Sequence, residues 1–280
     1  MKVSSLIDNV GDSEGHLCHE HGLSLHIKTG ERSILFDTGR TGTFLQNAKK
    51  LGVDVGKIDT VVISHGHADH AGGLLSFFQE NARAVVYMKK GADGDFFARF
   101  CGVKKYIGID KEVFSRHGNR IRFIEKTTEI GDGVFLVTGI DITDETPRGN
   151  RCLLEKRGNQ LARDTFAHEQ ILVIRENEHL HVFSGCSHNG ISNIIGTVRK
   201  VFPGEKIGTL CGGFHLMRST RVKWLPPLSK EIAVVSKALR DDAIDKIYTG
   251  HCTGELAFAR LRHDLGNKID YLRTGMTLTL

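Results

Sequence analysis

A histidine-rich segment directly follows a short apolar run. The run Thr60–Ser64 reads as a buried strand, and the next six residues include four metal-binding side chains, His65, His67, Asp69 and His70. An extended loop points two residues with this spacing, such as His65 and His67, in one direction, whereas a helix would turn them to nearly opposite faces. Asp69 and His70 stand where a following helix would begin, from which they can turn toward a second ion. Imidazoles and a carboxylate suit Zn²⁺, with Mn²⁺ or Fe²⁺ as alternatives.

Two further histidines occupy the same kind of position. His188 follows the apolar run Leu180–Ser184 through a Gly-Cys-Ser turn, and His251 follows Ala243–Tyr248 through Thr-Gly. A strand that ends in a ligand, with glycine permitting close approach of the backbone, lets a sheet build a site along one edge. With the first cluster, these histidines complete two sets of three ligands.

The composition is that of a soluble globular protein. The chain has 280 residues, of which 40% are hydrophobic and 25% charged, enough for a full core without disulfides. Its apolar runs, such as Ala84–Met88, are too short to span a bilayer, so no membrane partner is expected. Met1–Asp8 reads as a strand rather than an export signal, and the six cysteines form no CxxC pair. We therefore expect reduced thiols and a cytoplasmic location. The net charge of +5 is mild and no basic run suggests a nucleic-acid partner.

The elements that must position these side chains alternate along the chain. The early part is rich in strands with short connections, which favours antiparallel pairing, and the later part alternates strand and helix, which favours parallel crossovers. Mixed sheets with helices on their outer faces follow. We predict one domain over residues 1–280, with a polar loop excursion at 141–168. Predicted strands are Lys2–Ile7, Leu23–Ile27, Ser33–Phe36, Thr60–Ser64, Ala84–Met88, Ile121–Ile124, Val134–Ile140, Gln170–Arg175, His179–Ser184, Lys206–Leu210, Ala243–Thr249 and Met276–Leu280, and predicted helices are Phe44–Leu51, Gly72–Gln79, Ile191–Phe202, Ser229–Leu239 and Glu255–Leu265.

Taken together, the motifs resemble those of the metallo-β-lactamase superfamily. The resemblance rests on HxHxDH at 65–70, FDTG at 36–39, and the lone histidines of GCSH and TGH. EHGLS at 20–24, SHGH at 64–67, GCSH at 185–188, GGFH at 212–215 and GHC at 250–252 are more closely similar to one subfamily. This subfamily consists of metal-dependent hydrolases and includes 7,8-dihydropterin-6-methyl-4-(β-D-ribofuranosyl)aminobenzene 5′-phosphate synthases.

The resemblance implies a fold and a ligand set. The fold would be α/β, an αββα sandwich of two mixed sheets with helices on the outer faces and a dinuclear site at one edge. Asp37 would hydrogen-bond a ligand imidazole or a loop amide and so fix its orientation, although capping of the Thr38-Gly39 turn is an equal alternative. The first metal ion would be held by His65, His67 and His188, and the second by Asp69, His70 and His251.

One departure from the family pattern concerns His215. Many members bridge their two ions with an Asp at a strand tip, but here the strand Lys206–Leu210 leads into Cys-Gly-Gly-Phe-His215 with no Asp. His215 could substitute, the second ion could bind weakly, or one ion could suffice. We favour His215 as a residue that contacts substrate or transfers a proton, with a structural loop histidine as the alternative. The subfamily match also makes Glu20 and His21 candidates for substrate binding, in a loop over the site.

Several other candidates have simpler interpretations. Cys186 and Cys252 adjoin ligands but read as small packed residues at strand ends. His179 and His181 alternate with apolar residues and are expected on the solvent face of a strand. One or two arginines could bind a phosphate or carboxylate, from the set Arg148, Arg151, Arg157, Arg163, Arg218 and Arg221.

These features predict a metal-dependent hydrolase that acts on a small, anionic molecule bearing a phosphate or carboxylate. A metal-bound hydroxide would attack a carbonyl or phosphoryl centre, with Asp69 orienting it and His215 donating a proton to the leaving group. The first alternative is a transferase of the dihydropterin–ribofuranosylaminobenzene 5′-phosphate synthase type, with diphosphate as leaving group. A nuclease and a non-catalytic metal-binding sensor are further alternatives.

Overall fold

The secondary structure is taken from a computed structural model, which describes residues 1–100, 102–217 and 229–280. Within those ranges the strands are β1 (Lys2–Ile7), β2 (Ser24–Thr29), β3 (Arg32–Phe36), β4 (Thr60–Ile63), β5 (Val85–Lys89), β6 (Phe96–Phe100), β7 (Val103–Tyr106), β8 (Ile121–Ile124), β9 (Thr128–Gly131), β10 (Val134–Val137), β11 (Leu153–Arg157), β12 (Gln160–Arg163), β13 (Ile171–Glu176), β14 (His179–Ser184), β15 (Lys206–Gly212), β16 (Ile244–Thr249), β17 (Ile269–Tyr271) and β18 (Thr277–Thr279). The helices are α1 (Thr43–Lys50), α2 (Ala68–Ala71), α3 (Leu74–Glu80), α4 (Lys111–His117), α5 (Ile191–Val201), α6 (Ser229–Asp241) and α7 (Glu255–Leu265).

The chain divides into two compact units, each assembled from separate segments. Unit 1 comprises residues 1–125, 151–169 and 273–280, and unit 2 comprises residues 126–150 and 170–272. Unit 1 contains a seven-stranded sheet of order β18-β1-β2-β3-β4-β5-β8 and a four-stranded sheet of order β12-β11-β6-β7. Unit 2 contains a seven-stranded sheet of order β17-β16-β15-β14-β13-β10-β9.

The large sheet of unit 1 is antiparallel at one side and parallel at the other. β1, β2 and β3 pair antiparallel, whereas β3, β4, β5 and β8 run parallel. Leu35, Val61 and Val86 lie side by side in register and belong to one buried cluster with Phe44 of α1 and Phe77 of α3. Burying these apolar side chains between strands and helices is the main stabilising contribution, about 1.5–3 kcal/mol for each large side chain.

The sheet of unit 2 brings three strand ends to the same level. β14, β15 and β16 run parallel, and Ser184, Gly212 and Thr249 are in register at their carboxyl ends. Because the chain leaves all three strands at one edge, the loops that follow them lie beside one another. Leu210 and Ile194 belong to the buried cluster that joins this sheet to its helices.

The predicted fold class, α/β with two large mixed sheets and helices, is confirmed. Several details differ from the expectation. Residues 153–163, expected to be loop, form the hairpin β11–β12, and α4 was not predicted. His181 is buried, so its predicted exposure is wrong: β14 is buried on both faces, and the alternation rule assumes one solvated face. Within the described ranges, no helix combines the length and apolarity needed to cross a membrane.

Candidate metal centre

The histidine-rich segment of unit 1 changes from extended backbone to helix, as its spacing predicted. His67 has extended backbone angles, φ −94° and ψ 145°, and α2 begins at the next residue. Gly66 is needed in this passage, because a Cβ there would lie 2.5 Å from the carbonyl oxygen of Ala92. His65, His67 and His70 are buried, whereas Asp69 keeps part of its side chain exposed.

Hydrogen bonds around His65 and His67 fix which ring nitrogen carries the lone pair. Ser64 donates its hydroxyl to Asp37 at 2.7 Å, so the same hydroxyl accepts from His65 Nδ1 at 2.9 Å, which places the lone pair of His65 on Nε2. His67 Nε2 donates to Asp164 at 3.4 Å, which places its lone pair on Nδ1. Those two lone-pair atoms, His65 Nε2 and His67 Nδ1, are 3.2 Å apart.

That separation fits a shared metal ion. Two imidazole nitrogens at about 2.0–2.1 Å from one tetrahedral zinc ion lie roughly 3.3 Å from each other. Burial lowers the pKa of His65 well below its ordinary value, with His70 and His67 adding to the effect, and burial also lowers the pKa of His67. Both rings are therefore neutral at physiological pH, which is the form that binds metal.

His70 is oriented by Asp37 in a completely buried pair. His70 Nδ1 donates to Asp37 Oδ2 at 2.6 Å, so the lone pair of His70 lies on Nε2. Asp37 also accepts the backbone N–H of Ser64 at 2.7 Å. Its φ of +58° is a conformation that a non-glycine residue adopts at a cost of about 1–3 kcal/mol, and such residues cluster at functional sites.

The loop between β1 and β2 contains Glu20 and His21, the two candidates for substrate binding, and it contacts Asp69. His21 Nδ1 accepts from the Asn9 side-chain amide at 3.1 Å, so its Nε2 donates to Asp69 Oδ2 at 3.2 Å. Glu20 accepts the backbone N–H groups of Arg40 and Thr41 at 3.0 and 2.9 Å, and its carboxylate therefore holds the loop after β3. His21 thus orients Asp69, and the substrate-binding roles of Glu20 and His21 stay predictions.

A buried carboxylate that the sequence analysis missed supports His67. Asp164 accepts from His67 and also from His168 Nε2 at 3.2 Å, while His168 Nδ1 accepts the Gly66 N–H at 3.0 Å. Burial alone would raise the pKa of Asp164, but the hydrogen bonds from His168 and His67 outweigh it and hold the pKa well below its ordinary value. Asp164 is therefore an anion that fixes the ring of His67.

In unit 2, His188 follows β14 and is oriented by Asn150. His188 Nδ1 donates to Asn150 Oδ1 at 2.9 Å, and the Asn150 side-chain amide donates to the His188 carbonyl oxygen at 2.7 Å. The pair of hydrogen bonds places the lone pair of His188 on Nε2. Neither Asn150 nor Asp164 was predicted. Each hydrogen-bonds a candidate ligand that lies far away in the sequence, so no local spacing predicts it.

The turns after β14, β15 and β16 are tied together by hydroxyl and backbone hydrogen bonds. Ser187 donates to the Gly213 carbonyl at 2.6 Å, and Gly213 N–H donates to the carbonyl oxygen of Gly185 at 2.8 Å. Thr253 accepts the Phe214 N–H at 2.9 Å. His251, buried at the start of the turn after β16, has a φ of +46°. These bonds hold His251 and His188 on the two loops that flank the loop after β15, at one edge of the sheet.

His215 lies with two thiols rather than with an acidic group. One ligand atom each from Cys186, Cys252 and His215 falls within 4.8 Å of the others, and the His215 ring packs on His188 with centroids 4.3 Å apart. Both cysteines are buried, as expected of packed residues. Burial raises the pKa of Cys252, but its contacts with Cys186, His215 and His251 outweigh it, and the pKa lies well below its ordinary value.

Among the candidate arginines, Arg148 lines a cavity of unit 2 together with Lys230, Gly190 and Phe214. Arg157 is paired with Glu155 in β11. Arg151 and Arg163 are exposed, and Arg218 and Arg221 lie outside the described residues. Of these arginines, only Arg148 lines a cavity among the described residues, and whether it binds an anion stays a prediction.

Comparisons with known proteins agree with the motifs. A family model of the metallo-beta-lactamase superfamily matches residues 20–146. The 7,8-dihydropterin-6-methyl-4-(beta-D-ribofuranosyl)-aminobenzene-5′-phosphate synthase of Methanocaldococcus jannaschii is 25% identical over 290 residues, covering 98% of this chain and 95% of the relative. The crystal structure of Tm1679, a metal-dependent hydrolase of the beta-lactamase superfamily, has a TM-score of 0.84 and 33% identity, covering 100% of this chain and 99% of that one. Zn²⁺-bound PqqB from Methylobacterium extorquens shares the fold at a TM-score of 0.63 and 13% identity, with each chain covered completely. From its motifs, its fold and these relatives, the chain belongs to the metallo-β-lactamase superfamily.

Proposed function

We propose that the protein is a metal-dependent hydrolase that acts on a small, anionic molecule. By the family resemblance, His65, His67 and His188 hold one ion, and Asp69, His70 and His251 hold a second. Zn²⁺ is the proposed metal, with Mn²⁺ or Fe²⁺ as alternatives, because the donors are imidazoles and one carboxylate.

The observation that carries this proposal is the pair of nitrogens His65 Nε2 and His67 Nδ1, 3.2 Å apart. Hydrogen bonds to Ser64 and Asp164 place a lone pair on each of them. A hydrogen bond between these two rings needs a proton on one of these nitrogens, which the surrounding bonds disfavour, whereas a cation satisfies both lone pairs.

Different residues of the chain have different proposed roles in the reaction. A bound divalent ion would supply hydroxide at neutral pH by lowering the pKa of water to about 7. Asp69, which His21 holds and which is partly exposed, is proposed to orient the attacking water and to accept its proton. Asp37 and Asp164 keep the ligand rings in fixed orientations. His215 is proposed to contact the substrate or its leaving group through Nε2.

The cavity of unit 2 offers one possible contact for an anionic substrate. Its lining contains two cationic residues, Arg148 and Lys230, and two acidic ones, Glu145 and Glu231, and Lys230 pairs with Glu145 at 3.5 Å, which leaves Arg148 as the cation for a ligand. The Arg148 backbone is anchored, because its N–H donates to Glu231 at 2.7 Å. A guanidinium binds phosphate and carboxylate groups through paired hydrogen bonds, so Arg148 would hold such a group.

A second candidate is a synthase that uses a pterin diphosphate. It is favoured by the curated relative from Methanocaldococcus jannaschii, whose 25% identity extends over 98% of this chain. In this reaction diphosphate would leave the pterin and an aromatic acceptor would take its place, so consumption of the pterin diphosphate would depend on the acceptor.

The two candidates are separated by one assay. Protein purified without a chelating tag would be analysed for metal, reloaded with Zn²⁺, Mn²⁺ or Fe²⁺, and given phosphodiester, thioester, lactam and lactone substrates. We expect metal-dependent hydrolysis of an anionic member. Consumption of a pterin diphosphate only with an aromatic acceptor would favour the synthase, and salt-sensitive binding and cleavage of RNA would favour a nuclease. Metal binding without turnover of any substrate would favour a sensor.

A further inference from the structure

Three soft or borderline ligands meet in unit 2 outside the proposed hydrolytic ligand sets. Cys186, Cys252 and His215 each offer a ligand atom, and these atoms lie within 4.8 Å of one another. Both thiols are buried and the His215 ring is partly buried. Thiolate sulfur and imidazole nitrogen are the donors that zinc and other soft ions prefer.

The fold brings these residues together through the three parallel strands. Cys186 follows β14, His215 follows β15 and Cys252 follows β16, and the strands end in register. Gly213 leaves the room that the Cys252 thiol occupies, because a Cβ at 213 would lie 2.4 Å from Cys252 Sγ. Any larger residue at 213 would have to displace that sulfur.

The surroundings of the cluster suit a metal-bound thiolate. The Cys252 sulfur has polar neighbours on both sides: it accepts the His215 backbone N–H at 3.3 Å and donates to the Cys186 carbonyl oxygen at 3.6 Å. His215 Nδ1 is buried and has no hydrogen-bond partner among the described residues. The backbone of His215 has a φ of +49°, which is a strained conformation for a residue other than glycine. A buried ring nitrogen that makes no hydrogen bond is uncommon in native proteins, and a cation is one way to satisfy it.

We propose that Cys186, Cys252 and the Nδ1 atom of His215 bind one soft divalent metal ion, with Zn²⁺ as its natural occupant. Two sulfur–metal bonds and one nitrogen–metal bond would form on binding, and any proton that a thiol still carries would leave to solvent. Three protein ligands leave a fourth position for water or another small ligand, as in Cys₂His zinc sites. The His215 Nε2 atom, on the side toward Gly149, stays outside the bond to this ion.

This site goes beyond the proposed function, and neither cysteine belongs to the proposed hydrolytic ligand sets, so cysteine substitutions test it without removing a proposed hydrolytic ligand. The full-length protein would be titrated with Co²⁺ or Cd²⁺ while thiolate-to-metal charge-transfer absorption is recorded. We expect the band in the wild type and in His67→Ala, and its loss in Cys186→Ser and in Cys252→Ser. Cys211→Ser is the matched control, a buried thiol of β15 outside the cluster, and should keep the band. A wild type without the band, or a band that survives both cluster substitutions, would overturn the proposal.

A second measurement needs no variant and so does not depend on a variant's folding. Alkylation of each cysteine by iodoacetamide would be followed by mass spectrometry, with and without Zn²⁺. We expect Zn²⁺ to slow alkylation of Cys186 and Cys252 at least tenfold and a chelator to reverse this, while the exposed Cys152 reacts equally in both. Equal rates at Cys186 and Cys252 with and without Zn²⁺, or a disulfide between them that persists under reducing conditions, would contradict the site.

Discussion

His70 Nδ1 donates a hydrogen bond to Asp37 Oδ2 at 2.6 Å, and neither side chain has any solvent-exposed surface. The same carboxylate receives the hydroxyl of Ser64, which in turn accepts from His65. One buried carboxylate therefore sets the ring orientation of two proposed ligands, directly for His70 and through a serine for His65. The effect of removing its charge should appear in metal binding.

Asp37→Asn is expected to weaken metal binding about 10- to 100-fold, because an amide offers one acceptor oxygen where Asp37 uses two. The free energy of unfolding should fall by about 1–3 kcal/mol, since a buried donor loses its partner. Calorimetric titration with Zn²⁺ and urea denaturation measure the two effects. Asp59→Asn is the control, because Asp59 accepts a backbone N–H from Ser33 away from the histidines. Unchanged Zn²⁺ affinity in Asp37→Asn would show that the carboxylate serves only to hold its loop.

Asp164→Asn is expected to lower metal affinity to a similar degree, because a single amide oxygen cannot accept from both His67 and His168. His67→Ala should go further and remove both metal and activity while the protein stays folded. Metal content by mass spectrometry and circular dichroism together distinguish these outcomes. Asp95→Asn, which alters an ion pair with Lys111, should change neither. Full metal content in His67→Ala would show that the first ligand set is wrongly assigned.

Gly149→Ala is expected to displace the ring of His215. A Cβ at 149 would lie 2.7 Å from His215 Nε2 and 2.9 Å from Cδ2, distances at which the ring has to move. The change should alter the imidazole NMR signals of His215 and reduce activity. Gly196→Ala, in α5, is the matched control: its Cβ meets nothing within 4 Å, so stability should rise by about 0.5–1 kcal/mol. Unperturbed His215 signals in Gly149→Ala would argue against the packing described for this ring.

His26 is expected to make stability depend on pH. Burial, with the charges of Lys28 and Lys2, lowers the pKa of His26 to about 4. The unfolded chain, with a histidine pKa near 6.5, binds more protons between pH 6.5 and 4, so the free energy of unfolding falls as the pH is lowered through this range. His26→Gln should remove about 1–2 kcal/mol of that fall, after allowance for the partial exposure of the ring. Urea denaturation at each pH measures it.

The control for this pH effect is His16→Gln, because the His16 side chain is 73% exposed. Its pH profile of stability should follow that of the wild type. If His26→Gln also follows the wild type between pH 6.5 and 4, the pKa of His26 is not lowered by its surroundings.

Much of the strand and helix order was predictable because its signals are local. The apolar run that forms β4 and the period of α7 are visible within a few residues. The four-stranded sheet of unit 1 was not predicted as a sheet. Its strand β7 is exposed and polar, and β11 is defined by pairing with β6, more than fifty residues earlier. A strand of this kind is specified by its partner rather than by its own sequence.

The residues of the candidate site show the same contrast between local and distant sequence signals. The ligands are proposed because metal-binding side chains stand at the ends of apolar runs. Of the residues that hydrogen-bond these proposed ligands and orient their rings, only Asp37 was predicted, because it lies within a recognised motif. Asp164 lies 97 residues from His67, and Asn150 lies 38 residues from His188. A hydrogen bond over such a separation leaves no pattern in a single sequence.

The pairing of β18 with β1 has a consequence for biosynthesis. Residues 1–125 of unit 1 leave the ribosome well before residues 273–280, and translation at about 5–20 residues per second separates them by many seconds. During that interval the nascent chain carries the open edge of β1, and the histidines at 65–70 have emerged before Asp164 can support His67. An unpaired edge can pair with strands of other chains, so the growing polypeptide is exposed to aggregation at β1 until β18 is synthesised.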